Sequence, residues 1–202
     1  MYRILIIGIL FFIYSSSANA SEWGRDGFTV TETRVAFRGV GEAWKDANIG
    51  TVYRSSRFFG FLGMGYRFHK HYAATVEGGF VRVDGNNKAS ALQIIPVSFG
   101  GNVLFPAKGV EPFVGTGISL VNFLETGGET PISGTKMGMD FRAGVRISTN
   151  FARPSLHPNR ADGLNKFDIE LMLGQRFHQM FGVGTGLNMG ATRLGVGMLL
   201  RF

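Results

Sequence analysis

The chain has 202 residues, a length typical of one domain, and contains no cysteine, which excludes a disulfide framework and a thiolate metal site. Its net charge is +7, and it is rich in glycine and phenylalanine, with 30 and 19 residues. A basic chain can bind nucleic acid, but the export signal described next argues against that partner. The phosphate-rich surface of a membrane fits better, and a charge excess that merely keeps the protein soluble is the alternative.

Residues 1–20 predict a secretory signal peptide. Arg3 forms a basic start, and Ile4 to Tyr14 form an apolar run of 11 residues, too short to span a bilayer as a helix. The segment closes on Ala18-Asn19-Ala20, the small-x-small pattern that a signal peptidase recognises. We expect cleavage after Ala20, which leaves one domain over 21–202; an uncleaved membrane anchor is the alternative.

After residue 20 the dominant pattern is alternation of apolar and polar residues, which is typical of β-strands with two different faces. In "MGMDFRAGVRIS", Met137 to Ile147 alternate with charged residues and glycines, and "KFDIELMLGQR" repeats the pattern. No segment keeps a helical spacing. The pattern is weakest around "FTVTETRVAFRGV". Taken in chain order, the predicted strands are 28–40, 57–68, 72–84, 90–105, 110–124, 136–148, 165–177 and 187–202.

Two features fit this assignment poorly. The segment 149–164 is long for a turn between strands of a barrel, where turns on one side are usually short. Pro96 lies inside a predicted strand and removes a ladder hydrogen bond unless a β-bulge absorbs it.

Alternation alone does not say whether the apolar faces point inward, as in a soluble barrel, or outward to lipid. Aromatic residues stand near the strand ends, where a membrane-interface girdle is expected. The opposite faces carry glycine and charges of both signs, which suits a narrow polar lumen. We therefore predict an all-β fold, an eight-stranded antiparallel up-and-down transmembrane β-barrel. The aromatic girdle positions are Phe58, Tyr66, Phe68, Tyr72, Phe80, Phe105 and Phe202.

The last strand resembles the β-signal of bacterial outer-membrane proteins, in which alternating apolar residues close on a terminal phenylalanine. The matching positions are Leu194, Val196, Met198, Leu200 and Phe202. A second stretch, "PFVGTG" at 112–117 after the turn 106–109, is similar to the start of a strand in small barrels of the OmpA/OmpX/OmpW type. The resemblance implies a location in the outer membrane of a Gram-negative bacterium. The partners it implies are outer-membrane lipid and lipopolysaccharide, the barrel-assembly machinery through the last strand, and periplasmic chaperones in transit.

A barrel of eight strands is barely wide enough for its own side chains. Arg142 and Arg146 on the sixth strand are expected to pair with Asp168 and Glu170 on the seventh, because unpaired buried ions are costly. Paired charges would plug the lumen; a gated path for ions or small solutes is the alternative. The expected lumen charges are Glu77, Lys136, Asp140, Arg142, Arg146, Asp168, Glu170 and Arg176.

No catalytic set emerges. Some barrels of this type modify lipid A with a serine activated by histidine, but "FHQMFGVG" around His178 lacks the His-x-Ser-Asn stretch of the deacylases. His69 and His71 lie in a predicted turn, His157 lies in the long connection, and we expect neither a metal nor a cofactor.

We therefore predict a non-enzymatic envelope protein with a structural or surface-interaction role. An adhesion barrel that acts through the outer loops 41–56, with Trp44 and Tyr53, and 125–135 is a further alternative.

Overall fold

The structure is a computed structural model that describes residues 32–45, 47–53, 56–86, 90–127, 131–149, 166–178 and 189–202. The expected cleavage site at Ala18 and Ala20, His157 and most of the segment 149–164 lie outside these residues. Within these residues there are eight strands and one short helix, and the predicted strands agree with them to within a few residues. They are β1 (Glu32–Trp44), α1 (Ala47–Tyr53), β2 (Ser56–His69), β3 (Tyr72–Asp84), β4 (Ala91–Leu104), β5 (Val110–Thr126), β6 (Ile132–Ser148), β7 (Lys166–Phe177) and β8 (Ala191–Arg201).

Each strand pairs antiparallel with the next, and β8 returns to pair with β1, so the sheet closes into a barrel. The closing seam runs from Arg34 opposite Arg201 to Trp44 opposite Ala191. Thr33 and Phe202 add reciprocal backbone hydrogen bonds of 3.3 and 2.9 Å beyond it. Closure satisfies the backbone groups that an edge strand would leave unpaired, as a spanning sheet requires.

The outer face is apolar, as the alternation predicts for a transmembrane barrel. Phe58, Phe80 and Phe105 have more than half of their side-chain surface exposed, and Tyr66 is partly covered. On β8, Leu194 and Val196 are equally open, whereas Leu200 is partly covered. Such a face meets hydrocarbon and not water. The described residues include no helix that is long and apolar enough to cross a membrane.

The two ends of the barrel differ. At one end, the short-turn end, residues 70–71 join β2 to β3 and residues 105–109 join β4 to β5. Gly109 takes the left-handed conformation (φ 76°) that the second of these turns needs. At the opposite end, the helix end, α1 lies between β1 and β2.

The expected outer loop 41–56 is wrong in its bounds, because β1 continues to Trp44 and most of the remainder is α1. Trp44 and Tyr53 are buried and not displayed. The Trp44 ring packs edge-on against Phe59, and the Tyr53 hydroxyl donates to Glu125 Oε1 at 2.5 Å. The loop expected at 125–135 is shorter as well, since β5 ends at Thr126 and β6 begins at Ile132.

Pro96 interrupts the sheet without a bulge. The β3–β4 register pairs Gly78 with Val97 and resumes with Val81 opposite Ile94, so the alignment is unchanged across the interruption. The two intervening positions on β3, Gly79 and Phe80, are unpaired with β4. Proline has no N–H to donate, and the structure leaves the position open instead of shifting the strand.

Candidate functional site: the charged lumen

All eight residues expected in the lumen have buried side chains on the inner faces of the strands. They share that space with charged residues that the sequence analysis did not assign. These are Glu32, Arg34, Arg38, Glu42, Arg67, Glu111, Arg193 and Arg201. The barrel interior is therefore more highly charged than the sequence pattern predicted.

Near the short-turn end, Glu111 is the centre of a cationic cluster. Its carboxylate accepts hydrogen bonds of 2.9 Å from each of Arg34, Arg67 and Arg146. Glu111 stands at the start of β5, and the arginines come from β1, β2 and β6, so one carboxylate ties four strands together.

Two further ion pairs lie at the same end. Arg34 also pairs with Glu32, and Arg201 pairs with Asp168 and lies 3.8 Å from Glu32. These contacts join β1, β7 and β8 at the seam where the barrel closes.

In the middle of the barrel two carboxylates hold the arginines. Glu77 contacts Arg38 at 2.7 Å, Arg142 at 3.1 Å and Arg193 at 3.5 Å. Glu170 accepts hydrogen bonds from Arg38 at 2.5 Å and from Arg146 at 2.8 Å. The contacts reach across the lumen as well as between neighbouring strands.

Towards the helix end, Arg193 lies between two acids. It contacts Asp140 at 2.5 Å and Glu42 at 3.1 Å, and Arg176 contacts Glu42 at 3.0 Å. The Ser98 hydroxyl donates to Asp140 at 3.3 Å.

Among the described residues, these ion pairs form one connected network of eight arginines and seven carboxylates that extends from the short-turn end towards the helix end. Shared partners offset the desolvation of each ion in the network, because each of its charges faces at least one opposite charge. A cavity beside Arg34 and Arg38 measures about 10 Å³, which is space for at most one water molecule.

The expected pairing between β6 and β7 is correct for one of its two arginines. Arg146 and Glu170 are register partners and form an ion pair. Arg142 lies opposite Gly174 instead and reaches Glu77 and the Asn102 side-chain oxygen. Asp168 lies opposite Ser148, six residues along β7 from the register partner of Arg142. It therefore pairs with Arg201 and not with Arg142.

The missed charges left a signal in the sequence. Arg34, Arg38 and Glu42 recur every four residues along β1, which places them on one face of a strand. The outward positions assigned on the last strand likewise place Arg193 and Arg201 inward. Glu111 is the second residue of β5 and precedes Pro112, so no recurring charge on the same strand face marks it in the sequence.

Apolar side chains share the helix-end part of the lumen with Glu42, Arg176 and Arg193, which the alternation in the sequence did not indicate. Phe59 and Phe61 on β2 point inward, with an exposure of 4% or less, and Ile49 and Tyr53 of α1 pack in the same cluster. The Arg193 guanidinium lies 4.8 Å above the Phe61 ring and joins this apolar cluster to the ion-pair network. The remaining strand members include Val40, Val83, Leu92, Ile94, Val121 and Phe123.

Histidines form no ligand set in the described part of the chain, where no group of three or more potential metal ligands occurs. His69 and His71 lie at the short-turn end with ring centroids 5.8 Å apart, and His71 also contacts the Leu104 carbonyl at 3.0 Å. His178 is buried just beyond β7, with Nδ1 2.9 Å from the Met189 carbonyl oxygen. Burial lowers the pKa of His178 to about 4, and the nearby Arg176 contributes to the shift.

Comparison with known proteins supports the fold. No protein-family model matches the sequence, and no curated protein matches it. The structure is similar to the crystal structure of Neisserial surface protein A, with a TM-score of 0.56, 14% sequence identity and coverage of 85% of this chain and 97% of that chain.

It is also similar to the crystal structure of Ail, the attachment invasion locus protein of Yersinia pestis, in complex with the heparin analogue sucrose octasulfate. That comparison has a TM-score of 0.52 at 15% identity and covers 85% of this chain and 99% of that chain. Both are small outer-membrane barrels. The chain therefore has the fold of the small OmpA/OmpX-type outer-membrane proteins, an eight-stranded antiparallel transmembrane β-barrel.

Proposed function

We propose that the protein is a non-conducting barrel of the Gram-negative outer membrane with an envelope-structural or surface-interaction role. The observation that carries the proposal is the continuous ion-pair network, whose contacts cross the lumen from the short-turn end towards the apolar cluster under α1. An ion that passed through would have to displace buried arginine–carboxylate contacts and then cross a cluster of aromatic side chains.

The ion-pair network and the apolar cluster oppose permeation in different ways. Breaking the network would leave buried ions unpaired, which costs several kcal/mol for each ion. In the apolar cluster, Phe59, Phe61 and Phe123 offer no hydrogen bond to a hydrated ion. The alternative of a narrow pore for ions or small solutes requires both barriers to open together.

The test is conductance in planar lipid bilayers, with the purified full-length protein refolded in detergent. We expect no discrete channel openings from the native protein. Stepwise openings at ordinary voltages would overturn the plugged lumen and favour the pore. The combined substitutions Glu77→Ala, Arg193→Ala and Phe61→Ala serve as the positive arm and should conduct, because they open the ion-pair network and the apolar cluster where the Arg193 guanidinium lies over the Phe61 ring.

Heat-modifiable migration on SDS gels, measured on outer-membrane fractions, tests the proposed location. A folded barrel migrates differently before and after boiling, and recovery from the soluble periplasm without such a shift would contradict the proposal. The expected processing at Ala20, passage with periplasmic chaperones, recognition of β8 by the barrel-assembly machinery and association with lipid and lipopolysaccharide belong to the same proposal.

A role at the cell surface would use the helix end, which would face outward if the short turns face the periplasm. Lys45 and Arg82 expose their side chains there. The related fold of Ail, solved with a sulfated heparin analogue, supports adhesion as the second candidate. Lys45→Ala combined with Arg82→Ala should abolish cell binding while leaving heat-modifiability intact, because both side chains are exposed. We propose no enzymatic activity, and the burial of His178 supports that choice.

A further inference from the structure

A small cavity lies within the charged lumen, between the short-turn end and the middle of the barrel. It measures about 10 Å³, roughly the space of one water molecule. On β1, β2 and β3 its lining includes Ala36, Gly65 and Ala73, whose side chains are too small to fill the space. Arg146 of β6 and Leu199 of β8 also line it, so the cavity is shaped by five strands.

Every charged side chain that lines this cavity is an arginine. Arg34, Arg38 and Arg146 contribute to its lining, and no carboxylate among the described residues does. The other lining residues are uncharged, and most of them are apolar or glycine. Three guanidinium groups around so small a space create a positive potential, which favours an anion over a cation.

Arg34 has one buried hydrogen-bond donor without a protein acceptor. The side chain is 2% exposed, its Nε donates to Glu32, and its Nη1 donates to Glu111 at 2.9 Å. Its Nη2 meets no acceptor within the described part of the chain. Buried polar groups almost always have a partner. Because Arg34 lines the cavity, an acceptor held there can satisfy this nitrogen.

The ion-pair network around the cavity has one more arginine than it has carboxylates. The shortage is visible beside the cavity, where Arg34 and Arg146 share Glu111, and Arg38 and Arg146 share Glu170. A net charge in a buried site is costly. A water molecule in the cavity would satisfy the Arg34 donor and leave the net charge unchanged, whereas a monovalent anion would satisfy the donor and balance the charge.

We infer that this cavity binds a single halide ion between the guanidinium groups of Arg34, Arg38 and Arg146. Chloride is slightly larger than water, and the flexible ends of the arginine side chains make room for it. The ion is enclosed as the barrel folds, because the Glu111 cluster lies on one side of it and the Glu77 contacts lie on the other. The site goes beyond the proposed function, and it is independent of whether the lumen conducts.

The dependence of stability on chloride tests this site. The full-length protein is refolded into phosphatidylcholine vesicles in mixtures of sodium chloride and sodium gluconate at one ionic strength, and urea unfolding is measured in each. Above the dissociation constant, we expect the ratio of folded to unfolded protein to rise about tenfold for each tenfold rise in chloride. Gluconate is too large for the cavity. A ratio that does not change with the chloride content would overturn the proposal, because ionic strength, and with it screening, is constant.

A matched pair of glycine variants places the effect at the cavity. Gly65→Ala adds a methyl group to the lining, and its nearest atoms, at 3.5 Å, are at ordinary contact distance, so the barrel should still fold. We expect this variant to lose the chloride response. Gly41→Ala adds a methyl group away from the cavity, 3.7 Å from the Leu194 carbonyl oxygen, and should keep the response. Equal chloride responses in the two variants would contradict the site.

A second pair of variants separates charge from the filling of space. Ala36→Asp supplies a fixed carboxylate at the cavity, and Ala36→Asn supplies a neutral side chain of the same shape. In gluconate alone, we expect Ala36→Asp to unfold at a higher urea concentration than Ala36→Asn. Equal midpoints would show that the cavity does not require an anion and would overturn the proposal.

Anomalous diffraction from crystals of the native protein grown in sodium bromide locates the ion directly. We expect a bromide peak in the cavity, in contact with Arg34 Nη2. Bromide at the protein surface alone would identify an adventitious ion only and would overturn the site, as would a water molecule in its place. These outcomes leave the plugged lumen unaffected, since the conductance test alone bears on it.

Discussion

Arg146 and Glu170 are register partners on β6 and β7, and their side chains meet at 2.8 Å inside the barrel. Arg146 also donates to Glu111 at 2.9 Å, so it links the cluster at the short-turn end to the middle of the network. The packing of its guanidinium 4.5 Å above the Phe113 ring covers one face of the ion. The stability of the lumen thus depends on a few carboxylates that several arginines share.

Glu111→Gln removes the shared charge while preserving the shape of the side chain. Arg34, Arg67 and Arg146 would each lose an anionic partner in a buried site. We expect the free energy of unfolding to fall by about 3–5 kcal/mol, the usual cost of breaking a buried ion pair from one side. Urea unfolding of the protein in lipid vesicles measures this change.

Asp84→Asn is the matched control for this prediction. Its partner Arg82 lies 3.6 Å away, and both side chains are more than half exposed. An exposed pair contributes at most about 1 kcal/mol, so the variant should unfold close to the native midpoint. Equal losses for Glu111→Gln and Asp84→Asn would show that the lumen charges are solvated and not buried.

Much of this fold was predictable because lipid on one side and a narrow lumen on the other force strict alternation on the strands. The residues of β6 and β7 show it almost without exception, and the structure assigns their faces as predicted. Strand β1 was less clear in sequence, since inward Ala36 and Val40 are as apolar as the outward residues. There the spacing of Arg34 and Arg38 was the better signal.

The partners within the lumen were less predictable. Contacts such as Glu77 with Arg38 and Arg193 cross the barrel, and they depend on the shear between strands as well as on sequence spacing. The apolar cluster under α1 was also not predicted from the sequence. Phe59 and Phe61 point inward, whereas Phe58 points outward. Because all three are phenylalanine, the run "FFGF" does not show which of them face the lumen.

The "PFVGTG" stretch, which carried the resemblance to small barrels, has a physical basis here. A Cβ at Gly117 would lie 2.3 Å from the Phe99 carbonyl oxygen and 2.8 Å from the Cα of Gly100, its register partner. Strands β4 and β5 therefore approach closely at a pair of glycines, and larger residues at this height would force them apart.

Gly100→Ala tests that close approach. The added methyl group would lie 2.3 Å from the Thr116 carbonyl oxygen, and we expect a loss of about 1–3 kcal/mol in the free energy of unfolding, as for overpacking of a tight site. The neighbouring variant Gly101→Ala should be tolerated, because its nearest atom, the Ala73 carbonyl oxygen, lies 3.7 Å away. The heat-modifiable fraction and the urea midpoint, measured on both variants, check the difference; similar values would refute the close approach.

His178 predicts a specific pH dependence. Its pKa falls from 6.5 to about 4 on folding, because burial disfavours the imidazolium. The unfolded chain therefore binds a proton below pH 6.5 that the folded barrel does not bind until about pH 4. The stabilising contribution is complete above pH 6.5 and is lost as the pH falls from 6.5 to 4, by about 3 kcal/mol in total.

The comparison of the native protein with His178→Gln isolates this effect from the titration of the lumen carboxylates. The difference between their free energies of unfolding, measured in urea at pH 7.5 and at pH 4, should shrink by about 3 kcal/mol at the lower pH. A difference that is the same at both values would mean that His178 titrates alike in the folded and unfolded states.

Tyr53→Phe should loosen α1 without disturbing the barrel. The variant removes the hydroxyl that donates to Glu125 Oε1 at 2.5 Å, a hydrogen bond to a charged group that is worth about 1.5–3 kcal/mol. The helix is short, and apart from apolar packing it is held mainly at its C-terminal turn, so that opening should become more frequent. Limited trypsin digestion, which cleaves after Lys45 and Arg54, measures that opening.

Val52→Ala, at an exposed position of the same helix, should be cleaved at the native rate. Faster cleavage in both variants would attribute the effect to the helix itself, and native rates in both would show that the apolar packing of Ile49 holds α1 in place without the Tyr53 hydroxyl.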